Sequence, residues 1–198
     1  MANTPRPPTA TVLPRDAART RSSLLDAARR RFALEGYSAT TMRSVAGDAG
    51  VNVSLINRYF GSKEGLFASC LDRGLPTHDP SRAPSPSVDS VIETMLRYAV
   101  DGPDDDDRLQ LLLLLRTSED PVADNLRSAA LTALSTKIAE PLTGGDDGDD
   151  RLLRVQLALG TLLGILATRT STPVEPLCSA DTDRIRDLLR PVLRGLLT

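Results

Sequence analysis

The stretch 40-TTMRSVAGDAGVNVSLINRYFGSK-63 decides how this chain folds. Met42, Val45, Ala46 and Ala49 recur at i, i+3, i+4 and i+7, which is one apolar face of a helix. Thr40 or Thr41 supplies the hydroxyl that caps its start. Gly50 ends it, because glycine takes the left-handed backbone a tight turn needs. Val51 is the apolar plug of the turn, and Asn52 is a suitable cap for the helix that follows. In that second helix Ile56 and Phe60 sit one turn apart and face inward. Val53, Ser54, Leu55, Asn57, Arg58 and Tyr59 are left on or near the outward side. The pattern is helix-turn-helix, in which the second helix enters the major groove of DNA and the first crosses the backbone. On periodicity alone a plain helical hairpin in a core reads equally well.

Upstream, the spacing predicts a helix over 16–35 with Leu24, Leu25, Ala28 and Phe32 as its inner stripe. Arg29, Arg30 and Arg31 follow one another around it, so they cannot share a direction. Either one of them faces nucleic acid or all belong to a solvated surface. Residues 1–15 are rich in Pro, Thr and Ala and read as a disordered tail. Its Arg6 and Arg15 fit a minor-groove arm or a plain flexible tail. Downstream, Ser62 caps a further helix running to about Gly74, with Leu66, Phe67 and Leu71 inward. Residues 75–86 form a Pro/Ser-rich linker, and His78 within it, the sole histidine, reads as inert.

Composition fits this reading. Hydrophobic residues make up 40% of the 198 but aromatics only 3%, so the core is built from leucine, alanine and valine, which favours helices. Residues 1–73 hold 11 Lys/Arg against 6 Asp/Glu, a net of +5. The rest holds 13 against 20, a net of −7, and the overall −2 conceals the split. A basic part beside an acidic one suits a chain in which one end meets phosphates. Cys70 and Cys178 lie far apart with no metal-ligand spacing and read as reduced, buried or half-buried thiols. No export signal or uninterrupted apolar run of roughly 18 residues is seen, so no membrane span and a cytoplasmic location are expected.

Five further helices are predicted, over about 87–100, 107–117, 121–139, 149–170 and 182–197. The five leucines 111–115 encircle their helix, which is therefore expected to be buried on nearly all sides. In the last helix Ile185, Leu188, Leu189, Val192, Leu193 and Leu196 are expected inward, and Pro191 sits inside the span. The aspartate runs at 101–107 and 143–150 lack calcium-loop spacing. No paired carboxylates, phosphate-binding glycine loop or zinc spacing is present. No catalytic residue, cofactor or metal is expected, and an enzyme is the remote alternative.

Thr40 to Ala46, then Ala49-Gly50-Val51, then Tyr59-Phe60-Gly61-Ser62-Lys63-Glu64-Gly65-Leu66-Phe67, with Phe32 to Tyr37 upstream, together resemble the TetR family of transcriptional repressors. The resemblance covers roughly residues 20–70. It departs at Asn57, where the family usually has tyrosine, and at Asn52 and Val53, usually a small hydroxyl residue and a variable polar one. It implies an all-α protein: an N-terminal three-helix helix-turn-helix DNA-binding domain over 16–74, and a helical effector-binding and dimerisation domain over 87–198.

The implied protein is a homodimer, paired through its last two helices, that binds double-stranded DNA at a palindromic operator. A small-molecule effector releases it. The DNA-binding candidates are Thr40, Thr41, Arg43, Val53, Ser54, Leu55, Asn57, Arg58, Tyr59 and Lys63. Thr41, Arg43, Tyr59 and Lys63 suit the phosphate backbone, Lys63 through the anion site that a helix start and a lysine make together. Asn57 suits an adenine edge, Arg58 a guanine, and Val53 and Leu55 thymine methyls. The effector pocket is expected among Met95, Tyr98, Leu112, Leu115, Leu126, Leu159 and Leu163. Such a leucine-rich wall suits a flexible apolar or amphiphilic molecule. Arg97 or Arg116 is available for an anionic head group or as a surface or capping residue. A DNA-binding regulator with no small-molecule effector is the second reading.

Overall fold

The computed structural model describes residues 14–72, 87–101, 105–116, 120–140, 142, 148–171 and 174–198. His78, Arg6 and the linker 75–86 lie outside them. Among the described residues all regular secondary structure is helical: α1 (Pro14–Leu34), α2 (Met42–Asp48), α3 (Ser54–Phe60), α4 (Lys63–Leu71), α5 (Val88–Val100), α6 (Asp105–Leu115), α7 (Pro121–Ala139), α8 (Gly148–Ser171) and α9 (Thr182–Leu197).

Two apolar clusters hold these helices. The first gathers Leu24, Ala28 and Phe32 of α1, Val45 of α2, Ile56 of α3 and Leu66, Phe67, Cys70 and Leu71 of α4. Phe32, Tyr37 and Phe67 form its aromatic centre, with ring centroids 4.9 to 5.8 Å apart. Leu113 and Leu114 of α6 and Ala123 of α7 join this cluster. Two elements assigned by sequence to the C-terminal half therefore complete the N-terminal core. The second cluster joins α5, α8, α9 and the end of α7, around Ile92, Leu96, Val155, Ala158 and Leu193, all of them fully or almost fully buried.

Polar contacts fasten the seam between the halves. The Arg29 guanidinium, buried on α1, donates to the Asp106 carbonyl at 3.0 Å and to Gln110 Oε1 at 3.3 Å. Gln110 in turn donates from Nε2 to the Leu71 carbonyl, at the end of α4, at 3.0 Å. Arg116 Nη1 donates to the carbonyls of Ala33 and Leu34, each at 3.1 Å, and so caps the C-terminal end of α1. Arg127, also buried, donates from Nε to the Leu113 carbonyl at 2.8 Å and lies over the Phe67 ring. At the other end of the molecule Arg186, Arg190 and Arg194 of α9 pair with Asp101, Glu93 and Asp89 at α5.

Two expectations need correction. α6 is not buried all round: Leu112 is 41% exposed and Leu115 43%, because the helix packs with one face only on α1 and α4. Leu188 and Val192 of α9 point outward, 57% and 48% exposed, and the inner stripe is Ile185, Leu189, Leu193 and Leu197. α8 is long and apolar enough, by length and mean hydropathy, to cross a membrane, although it lacks an uninterrupted apolar run. Here it packs against α5, α7 and α9.

Candidate nucleic-acid interface

Local chemistry builds the helix-turn-helix. Thr41, not Thr40, caps α2. Its hydroxyl accepts from the Ser44 amide at 3.0 Å, and Ser44 Oγ accepts from the Thr41 amide at 3.2 Å. Gly50 turns the chain with φ +66°, and Val51 N–H donates to the Ala46 carbonyl to close the turn. The N-cap position of α3 is Val53, which has no capping side chain. Asn52 does the work one residue earlier, with its Oδ1 accepting from the Ser54 amide at 2.9 Å. Ser62 caps α4 by accepting from the Gly65 amide at 3.2 Å.

α1 is clamped to α2 by Arg31. It donates to both oxygens of Asp48, at 2.5 and 2.8 Å, and to Glu35 at 2.9 Å. Hydrogen bonding from Arg31 holds the Asp48 carboxyl below its ordinary range, and the same contact raises Arg31. Of the three consecutive arginines, Arg29 is thus buried in the seam, Arg31 is ion-paired, and Arg30 is left exposed.

α3 has two faces. At about 100° per residue Val53, Ser54, Asn57 and Arg58 fall on one side, and all four are exposed. Ile56 is fully buried opposite them, with Leu55, Tyr59 and Phe60 half-buried against the N-terminal core. Leu55, like Tyr59, packs partly against the core and keeps part of its side chain in solvent. One expected contact is corrected. Thr40 is 1% exposed and its hydroxyl donates to the Gly36 carbonyl at 2.8 Å, so its side chain serves the turn after α1. Thr41 and Arg43 are exposed, and Tyr59 is half-buried beside Phe60.

Lys63 sits at the first position of α4, its ammonium 4.3 Å from the centre of the Tyr37 ring and 3.5 Å from the Ser38 carbonyl. The same tyrosine donates its hydroxyl to Glu64 at 3.0 Å. Burial, and then Glu64, push the Tyr37 hydroxyl up to about 12. Tyr37 thus positions both residues of the α4 start, a role sequence reading missed. Arg21 of α1, over the Phe60 ring at 5.0 Å, is a second basic group that it missed near α3. An aromatic neighbour that is distant in sequence gave no periodic signal in either case.

The expected effector residues divide. Met95, Tyr98, Leu159 and Leu163 line one interior void between α5, α6, α7 and α8, of only about 30 Å³. Leu126 lines a separate cleft of about 410 Å³ between α4, α6 and α7. Leu112 and Leu115 line neither, being turned outward on α6. Arg116 is committed to the end of α1, and Arg97 lies exposed over the Tyr98 ring.

A sequence model of the N-terminal region of TetR-family bacterial regulatory proteins matches residues 24–70. One of the tetracyclin repressor-like C-terminal domain matches residues 89–197, more than half of the chain. The chain belongs to the TetR family. It is accordingly a DNA-binding transcriptional regulator and not an enzyme. No curated protein matches it.

Solved TetR-family structures do. A regulator from Streptomyces coelicolor is 27% identical with a TM-score of 0.53, over 91% of this chain and 95% of that one. NalD, the secondary repressor of a multidrug efflux pump in Pseudomonas aeruginosa, is 21% identical with a TM-score of 0.63, over 92% and 98%. MexZ, a repressor responsible for antibiotic resistance in the same organism, is 22% identical with a TM-score of 0.60, over 90% and 95%. At that identity the last two attest to the TetR fold.

Proposed function

We propose that the protein is a cytoplasmic, homodimeric transcriptional repressor that reads a near-palindromic operator and is released from it by a small effector. The observation that carries the reading is the two-faced α3. Val53, Ser54, Asn57 and Arg58 project outward while Ile56 is locked in the core. Asn57 and Arg58 suit bidentate contacts to adenine and guanine edges, and Val53 a thymine methyl. Thr41, Arg43, Tyr59 and Lys63 flank them as phosphate contacts. Two such helices about 34–36 Å apart read successive major grooves, and this requires a dimer. The repressor role is also supported by NalD and MexZ, each described as one. The domain division at 75–86 remains part of this proposal.

The test is selection of bound DNA from a random pool, then a salt titration on the winning site. A palindromic winner with a steep negative salt slope is expected. Lys63→Ala should flatten that slope by about 2 in a dimer, close to one counterion per lysine. An unchanged slope and affinity removes Lys63 from the phosphate contacts. No enrichment at low salt ends the repressor reading.

The small size of the interior void favours a second reading, a DNA-binding regulator without a small-molecule effector. Operator affinity insensitive to every ligand that binds the protein would select it.

A further inference from the structure

Among the described residues two cavities compete as the place where an effector acts, and they differ more than tenfold in size. The void inside α5–α8 holds about 30 Å³, room for about one water. The cleft between α4, α6 and α7 holds about 410 Å³, within the range of small-molecule sites.

The cleft has a readable chemistry. Leu71, Leu114, Leu126 and Leu134 supply its apolar surface, Ala129 and Ala133 leave it open, and no aromatic ring lines it among the described residues. Ser69 contributes little polarity, because its hydroxyl already donates to the Gly65 carbonyl at 2.8 Å. Two helix C-termini flank it. α4 ends at its C-cap, Asp72, and Lys137 lies in the last turn of α7. Helix C-termini carry negative potential, and Asp72, exposed at the cleft, adds a negative charge on a short side chain. Lys137 is the one cation among the described lining residues, and it rides on a flexible stem that can swing into water.

We infer that this cleft is a binding site for an aliphatic amine, its chain along the leucines and alanines and its ammonium at Asp72. The inference rests on the effector reading above and says where and what the effector is. α4 also carries Lys63 at its start and packs on α3. A ligand between α4 and α7 therefore bears on the element that seats the reading helix, and it lowers operator affinity by preferring an arrangement unsuited to DNA.

The test uses the full chain, with decylamine, decanoate and decanol as probes in calorimetry below their micellar concentrations. Decylamine should bind and decanoate should not. Asp72→Asn should weaken decylamine roughly tenfold, the loss of one charge-assisted contact. Lys137→Met should tighten it, and Ala133→Leu, at an exposed position, should block it and abolish decylamine's effect on operator affinity. Thr94→Leu, which fills the interior void instead, should change nothing. Decylamine binding lost in Thr94→Leu but kept in Ala133→Leu overturns the cleft and leaves the effector reading intact. Preference for decanoate overturns the amine. Failure of all three probes to bind overturns the site itself, and the effector reading then stands or falls on other ligands.

Discussion

A Cβ built on Gly65 would lie 2.1 Å from the Phe60 carbonyl oxygen, a backbone atom that cannot step aside. One added methyl must therefore push α4 away from the end of α3. Gly65→Ala is expected to lower the thermal midpoint by many degrees or to abolish cooperative unfolding. Gly47, in α2, has nothing within 4 Å of the same position, so Gly47→Ala should raise stability by about 0.5–1 kcal/mol, the ordinary helical gain. Thermal melts of the pair separate packing from propensity.

Titration offers a second check at this scale. Burial pushes the Cys70 thiol up to about 12, so it stays protonated near pH 8. A thiol reagent should therefore label half-buried Cys178 in the native protein and Cys70 only after unfolding. Tyr37 behaves likewise: its folded value of about 12 lies above the ordinary 10, so its contribution to stability is complete below pH 10 and is lost as the pH rises toward 12. Sequence reading could not see which of two adjacent threonines was the cap. Thr40 and Thr41 are chemically identical, and only the turn at Gly36 gives Thr40 an inward partner.

At the scale of elements, periodicity was a better guide to where a helix begins and ends than to which residues it turns inward. The bounds of α7 and α9 coincide with those expected, and Ile56 faces in as its spacing required. It failed on α6, whose five consecutive leucines have no period, so nothing in the sequence distinguished exposed Leu112 and Leu115 from buried Leu113. It also failed on the seam, where Arg29, Arg116 and Arg127 reach partners that local spacing does not disclose. Arg127 is the sharpest case. It satisfies a carbonyl of α6, pairs with Asp124 at 2.9 Å and covers the Phe67 ring. Arg127→Ala leaves the Leu113 carbonyl unpaired and a gap over the ring, and should cost about 2–4 kcal/mol in urea unfolding. Lysine cannot make the separate contacts of the guanidinium fork, so Arg127→Lys should recover less than half of the loss. Full recovery by lysine would mean that the charge alone matters.

For the molecule as a whole, the unsolved surface is the outer side of α8 and α9. Leu153 and Leu157 are each 52% exposed, and Gly160 and Gly164 continue their stripe with open space above them. Leu188, Val192 and Gly195 repeat the same i, i+4, i+7 spacing on α9, the first two 57% and 48% exposed. Only 28% of the apolar stretch of α8 is buried within the chain. Contiguous apolar stripes on neighbouring helices, with glycines that admit a second backbone, are what a helical dimer interface requires. Pairing through the last two helices is what the family resemblance implies, and within the proposed homodimer this outward stripe is the surface to test. Leu157→Arg should yield a folded monomer in sedimentation at micromolar concentration, with helicity retained and operator affinity reduced at least a hundredfold, since one subunit then grips only half of the site. Leu112→Arg is the matched control, because that leucine is comparably exposed but lies on α6, off the stripe. It should remain dimeric and bind DNA. The reverse pattern, a dimer in Leu157→Arg and a monomer in Leu112→Arg, would move the interface to α6, beside the seam that seats the DNA-binding helices.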